Sequence, residues 1–108
     1  MLKQAILDYV KRLDHVTFNE LSRDVAGVKG ELDMAIDKYN IIIWQNLSAE
    51  AVNVILELQE EGALHLKPTI PLTYMVEGVY LTLPVATKKA LYKKPRWLPV
   101  VLKLGRGK

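Results

Sequence analysis

Cationic and aromatic residues are interleaved near the C-terminal end of this chain, and their chemistry suits binding to a polyanion. Between positions 88 and 97 the sequence contains Lys88, Lys89, Tyr92, Lys93, Lys94, Arg96 and Trp97. Ammonium and guanidinium groups pair with phosphates, and aromatic rings contact bases or a groove. We therefore predict a nucleic-acid-binding site composed of Lys88, Lys89, Lys93, Lys94, Arg96 and Trp97.

The net charge of +3 is divided unevenly along the chain. Residues 78–108 contain 8 basic residues and no acidic ones, whereas residues 1–77 contain all 12 acidic residues and 7 basic ones. Such asymmetry is typical of a polyanion-binding arm. Two other interpretations stay open, because a basic segment can also dock on an acidic body or maintain solubility. The apolar side chains from Trp97 to Leu102 are expected to cover apolar surface on their own domain or on a second copy.

Residue types that other chemistry requires are absent or scattered. The chain has no cysteine, which excludes disulfides, thiolate metal sites and a cysteine nucleophile. Its two histidines, His15 and His65, lie far apart without a cluster of acidic residues at ligand spacing. Ser22 and Ser48 occur in no nucleophile motif, and the glycines form no phosphate-binding loop. We predict that the protein is not an enzyme and uses no metal, cofactor or small-molecule substrate.

The length of 108 residues and the hydrophobic content of 50% suit one domain with a real core. The apolar runs are far shorter than the ~20 residues that span a bilayer. The first residues also lack the basic and apolar regions of a secretory signal. These features predict a cytoplasmic protein without a membrane partner.

Four segments have helical patterns. Apolar residues recur at spacings of three and four over residues 2–13, and Thr17 with Glu20 forms a capping box that starts a second helix at Phe18. A weaker pattern predicts a third helix over about 30–38. Ser48 is expected to cap a long helix over about 49–61, which ends at Gly62.

Extended segments alternate with these helices. Ile41 to Gln45 is predicted to be a buried strand, and residues 63–66 are predicted to be an edge strand or loop because prolines follow. Residues 72–76 and 79–83 flank Glu77-Gly78, which predicts a two-stranded hairpin.

This order of elements resembles a winged helix-turn-helix domain. The resemblance is carried by VTFNELSRDV at residues 16–25, by AVNVILELQEEGAL at residues 51–64 and by the predicted hairpin at residues 72–83 as the wing. It implies an α+β fold with three to four helices, a C-terminal β-hairpin wing and a short additional strand. The implied winged-helix domain covers residues 1–84, and a basic C-terminal arm covers residues 85–108.

The resemblance implies a DNA-binding, regulator-like protein in which the basic arm and the wing contact phosphates. Either helix 49–61 or helix 30–38 could be the recognition helix, and both have acidic outer faces. The outward residues of helix 49–61 are Glu50, Asn53, Glu57, Glu60 and Glu61. Since carboxylates repel a duplex, the alternative is a protein–protein interaction module or homodimer that does not bind DNA.

Overall fold

The computed structural model describes residues 1–86 and 91–106, and these residues form two three-stranded sheets and four α-helices. The helices are α1 (Leu2–Leu13), α2 (Phe18–Asp24), α3 (Ala49–Glu60) and α4 (Leu72–Met75). The strands are β1 (Val16–Thr17), β2 (Lys29–Ile36), β3 (Ile41–Leu47), β4 (Leu64–Pro68), β5 (Arg96–Trp97) and β6 (Val100–Leu104). A 3-10 turn over Asp37–Tyr39 links β2 to β3. The predicted α+β class is confirmed.

The first sheet has the order β1-β6-β4, and all of its pairs are antiparallel. Leu102 of β6 lies opposite Val16 of β1 and Leu66 of β4. The prediction of an edge strand or loop after Gly62 is confirmed, because β4 lies at one edge of this sheet.

The second sheet has the order β2-β3-β5, with β2 antiparallel and β5 parallel to β3. The buried strand predicted from Ile41 is confirmed and continues to Leu47. Strands β5 and β6 both follow the boundary that the sequence placed at residue 84, yet each pairs with strands that precede it. The described part of the C-terminal segment therefore contributes strands to both sheets.

Local capping signals fix the starts of α2 and α3 as predicted. The Thr17 Oγ1 accepts a hydrogen bond of 3.0 Å from the Glu20 N–H, and the Glu20 carboxylate accepts one of 3.0 Å from the Thr17 N–H. The Ser48 Oγ accepts a bond of 3.0 Å from the Ala51 N–H. Gly62, with φ of 76°, follows the end of α3. These bonds satisfy backbone groups that a helix end leaves without partners.

The predicted helix over residues 30–38 is wrong, because residues 30–36 belong to strand β2 and residues 37–38 to the 3-10 turn. Strand β3 has mostly buried side chains, and its backbone groups need partners within a sheet. Strand β2 supplies those partners, with Met34 opposite Trp44 and Ile36 opposite Ile41. A competing signal was present in the sequence, since Leu32, Met34 and Ile36 alternate with polar or small residues as in a strand.

The predicted hairpin over residues 72–83 is also wrong. Residues 72–75 form helix α4, and residues 79–83 form no strand. Gly78 does adopt a positive φ of 83°, but it closes a helix instead of a hairpin. The Gly78 N–H donates to the Met75 carbonyl and the Val79 N–H donates to the Tyr74 carbonyl, which is the Schellman pattern of a helix end.

The core lies where α1, α2 and α3 pack against the first sheet, and it continues into a group of three rings from both halves of the chain. The ring centres of Trp44 and Tyr74 are 4.7 Å apart, and those of Tyr74 and Trp97 are 5.5 Å apart. Across the described residues, no helix has the length and apolar character needed to cross a membrane.

Candidate nucleic-acid interface

Three of the predicted site residues lie around one surface hollow of about 370 Å³. We call it the basic hollow, and its lining consists of Pro84, Leu91, Tyr92, Lys93, Lys94, Pro95 and Arg96. Lys93 and Lys94 are exposed, whereas Arg96 is half-buried. Of the described residues that line the hollow, none is acidic, so its cations can meet an anion from solvent without competition from an adjoining carboxylate in the lining.

Strand β5 and the ring of Tyr92 hold Arg96 in place. The Arg96 guanidinium carbon lies 4.6 Å from the centre of the Tyr92 ring, a stacked cation–π geometry. Its Nη1 donates to the Val85 carbonyl at 3.3 Å, and its backbone N–H donates to the Asn40 carbonyl at 3.0 Å. The Arg96 guanidinium is therefore held in place by contacts within the protein.

The 3-10 turn before β3 anchors the start of the basic hollow. The Tyr92 N–H donates to the Tyr39 carbonyl at 3.2 Å, and the Asn40 side-chain amide donates to the Tyr92 carbonyl at 3.2 Å. Asn40 adopts a left-handed conformation, with φ of 61°, which ends the turn. Asparagine tolerates this conformation better than most residues.

This turn carries a further cation, Lys38, which is not among the residues that line the basic hollow. The Lys38 Nζ lies 5.4 Å from the centre of the Tyr39 ring, and Tyr39 contacts Tyr92 through its carbonyl. The sequence interpretation placed Lys38 on the outer face of a helix over residues 30–38, whereas it lies in the 3-10 turn. The signal that could have found this turn is the Tyr39-Asn40 pair, since asparagine often ends a tight turn before a strand.

Trp97, another predicted site residue, is not brought to this surface. Trp97 is only 1% exposed and packs against Trp44 and Tyr74 in the core, so its ring is closed to a ligand in solvent. This burial confirms that the segment from Trp97 to Leu102 covers apolar surface on its own domain. Lys88 and Lys89 lie outside the described residues.

The outer face of α3 is acidic, as the sequence predicted. Its exposed residues include Glu50, Asn53, Leu56, Glu57, Glu60 and Glu61. Lys3 of α1 forms ion pairs with Glu57 at 2.5 Å and with Glu61 at 2.7 Å, and these exposed pairs neutralise only part of the face. A helix with this surface would repel phosphates in a groove. The other potential recognition helix, residues 30–38, consists of strand β2 and the start of the 3-10 turn.

A larger hollow of about 600 Å³ lies between α2, the facing ends of β2 and β3, and residues 78–81. Its lining combines amides with the aromatic rings of Trp44 and Tyr80, and Lys29 is the cation among the residues that line it. None of the predicted site residues borders this hollow.

His65 and Ser48 have structural contacts, whereas the Ser22 hydroxyl oxygen is buried without a hydrogen-bond partner among the described residues. His65 Nδ1 lies 2.8 Å from the Gly105 carbonyl, and the Ser48 hydroxyl donates to the Gly27 carbonyl at 2.6 Å. Within residues 1–86 and 91–106, no group of three histidine, aspartate or glutamate side chains is arranged to hold a metal ion.

Comparisons of the chain with models of protein families, with curated proteins and with solved structures find no match. Its function must therefore be inferred from the chemistry of its own surfaces.

Proposed function

We propose that this protein is a small DNA-binding, regulator-like protein of winged-helix type that contacts phosphates through the basic hollow. The observation that carries the proposal is the placement of Lys93, Lys94 and Arg96 around one hollow whose described lining contains no acidic residue. Lys38 is a further cation on the 3-10 turn, whose Tyr39 carbonyl accepts a hydrogen bond from the Tyr92 N–H, but it does not line the hollow. Cations grouped in this way attract a phosphate backbone whatever its sequence.

The order of elements in the first sheet supports a winged-helix relationship. When β2, β3, α4 and β5 are set aside, the chain follows the order α1, β1, α2, α3, β4 and β6, and β6 lies between β1 and β4. A winged helix has a similar order, with its wing strands after the last helix. Here β4 and β6 would be the wing strands, with α4 and β5 between them in the chain. Strands β2 and β3 would be an insertion between α2 and α3. This assignment replaces the wing that the sequence placed at residues 72–83.

The number of cations sets the expected salt dependence. Lys93, Lys94 and Arg96 together neutralise about three phosphates, so log K for duplex DNA should fall with log salt with a slope of about −2.7. Lys38 would make this slope steeper by about 0.9.

Charge reversal tests the proposal. In the double variant Lys93→Glu/Lys94→Glu, both changes lie on exposed side chains, so we expect the fold to be kept. Fluorescence anisotropy of a labelled duplex across a salt series should show weaker binding and a slope smaller in magnitude by about 2. The matched control is Lys11→Glu/Arg12→Glu, another adjacent pair of exposed cations, located at the end of α1.

Equal loss of affinity in both double variants would show that net charge, and not this surface, governs binding. A wild-type protein without salt-dependent affinity for DNA would reject the proposal.

The acidic face of α3 favours a second candidate, a protein–protein interaction module. Leu56 is 52% exposed and lies among the glutamates of this face, which gives an apolar centre with a charged rim. On this alternative, sedimentation equilibrium should detect self-association that Leu56→Asp abolishes. A monomeric wild-type protein would remove the homodimer form of the alternative.

A further inference from the structure

We infer that the basic hollow binds single-stranded nucleic acid in preference to duplex, with one unpaired base held against its apolar lining. This inference rests on the proposed function and adds the class of nucleic acid. The inference follows from the apolar residues that line the hollow and not from its cations.

The lining of the hollow is largely apolar. Four of its seven residues are Pro84, Leu91, Tyr92 and Pro95. Leu91 is 77% exposed, which leaves its side chain open to contact from solvent. The volume of about 370 Å³ falls within the range of about 300–1,000 Å³ that small-molecule sites occupy. The hollow thus has room for a nucleobase, with apolar side chains and cations in its lining.

The two forms of nucleic acid present different groups to such a hollow. A duplex presents phosphates and the edges of its bases, and it keeps the faces of the bases stacked inside. A single strand presents whole base faces, which stack on aromatic side chains while the backbone meets cations. A phosphate backbone alone would leave Leu91, Pro84 and Pro95 without a contact.

The positions of the cations match this arrangement. Lys93 and Lys94 directly follow Tyr92 and line the same hollow, so the backbone phosphates of a base bound there would have ammonium groups nearby. The Tyr92 backbone is bonded to Tyr39 and Asn40, and its ring stacks with Arg96. Because the ring is already positioned, less conformational entropy is lost on binding.

Helix α3, a predicted recognition helix, lacks the usual side chains for reading a duplex. The exposed face of α3 carries carboxylates where a groove-binding helix normally carries cations or amides. A single strand needs no inserted helix. Binding to the basic hollow therefore avoids the acidic face.

Three labelled probes of equal length test the inference by fluorescence anisotropy at one salt concentration. They are a single-stranded thymine dodecamer, a strand of twelve abasic phosphodiester units and a duplex of twelve base pairs. A stacked base is worth about 1–3 kcal/mol, so the thymine strand should bind about 5- to 150-fold more tightly than the abasic strand. The duplex should bind more weakly than the thymine strand.

A variant tests the lining itself. Leu91→Ala should weaken binding of the thymine strand several-fold and leave binding of the abasic strand unchanged. The control is Leu72→Ala, which changes an exposed leucine on α4 that does not line the basic hollow. This control should change neither affinity. Both leucines are exposed, so the fold should tolerate both variants.

Equal affinity for the thymine and abasic strands, or tighter binding of the duplex, would overturn the inference and leave the proposed function standing. Absence of salt-dependent binding to all three probes would overturn both.

Discussion

At the scale of single residues, Tyr74 joins parts of the chain that are far apart in sequence. Its fully buried hydroxyl donates to the Val100 carbonyl at 2.6 Å and accepts from the Phe18 N–H at 3.1 Å. Phe18 is the first residue of α2, and such N–H groups have no partner within their own helix. One phenol therefore connects α4, α2 and β6.

Removing this hydroxyl should cost stability. Tyr74→Phe keeps the ring but leaves the Phe18 N–H and the Val100 carbonyl without their partner, so we expect a loss of about 1–3 kcal/mol. Urea unfolding followed by circular dichroism measures this difference. Tyr80→Phe, at an exposed tyrosine, serves as the control and should change stability by less than about 0.5 kcal/mol. A loss no larger than that of the control would contradict the bridging role.

The stability difference between the wild-type protein and the Tyr74→Phe variant should also depend on pH. Burial raises the pKa of Tyr74 above its ordinary value of 10.0, so the unfolded chain loses this proton before the folded one does. The stability that Tyr74 provides is thus fully present below pH 10 and is lost as pH rises further. The stability difference between wild type and Tyr74→Phe should shrink above pH 10. Tyr9, whose pKa burial and Asp24 raise to about 12, contributes equally to both proteins.

At the scale of elements, sequence prediction succeeded where the determining groups are neighbours in the chain. The starts of α2 and α3 depend on Thr17 and Ser48, which bond to N–H groups three residues away. Gly78 shows the limit of such local signals. A glycine with positive φ suits a hairpin turn and a helix end equally. The helix is favoured here by burial of Tyr74, whose hydroxyl bonds to Phe18 and Val100 in distant parts of the chain.

Strand β2 is a second case in which a distant contact decided the structure. The apolar residues of this segment fit both a helical spacing and the alternation of a strand. Pairing with β3 favours the strand. The close approach of β2 to the start of α3 also explains why position 30 is a glycine. A Cβ at this position would lie 2.4 Å from the Ser48 Cα and 2.6 Å from the Ser48 backbone nitrogen. Only glycine, which has no Cβ, fits at this position of β2 beside the start of α3.

Gly30→Ala should therefore destabilise the fold through this contact. Relieving the overlap must move backbone, because neither atom belongs to a flexible side chain, and overpacking of this kind costs about 1–3 kcal/mol. The control is Glu31→Ala at the adjacent exposed position. Thermal unfolding should show a clearly lower midpoint for Gly30→Ala alone. Similar midpoints for both variants would mean that β2 does not approach Ser48 this closely.

At the scale of the whole molecule, the C-terminal segment combines two properties that its sequence suggested separately. Its cations at residues 93–96 surround the basic hollow, and its apolar residues form β6 in the middle of a sheet. Composition indicated both the charge and the apolar patch. It could not show that Val100, Val101 and Leu102 pair with strands more than 30 residues away, because strand pairing over such distances leaves no local pattern.

A chain that ends at Leu98 should consequently fail to fold. It lacks β6, which pairs with both β1 and β4, and it loses the three buried side chains of Val100, Val101 and Leu102. Burial of three aliphatic side chains is worth roughly 5–9 kcal/mol. A small domain has a total stability of about 5–15 kcal/mol. Circular dichroism should show little ordered structure and no cooperative urea transition.

A chain that ends at Gly105 is the matched control for this truncation. It keeps β6, the bond from the Gly105 N–H to the Ala63 carbonyl and the contact of the Gly105 carbonyl with His65. It should unfold cooperatively, near the midpoint of the full chain. If the chain ending at Leu98 also unfolded cooperatively, β6 would be dispensable and the C-terminal segment would be a separate arm. If the chain ending at Leu98 shows no cooperative unfolding, any loss of DNA binding in that chain reflects the loss of its fold. Only point variants that keep the fold intact can then locate the binding surface.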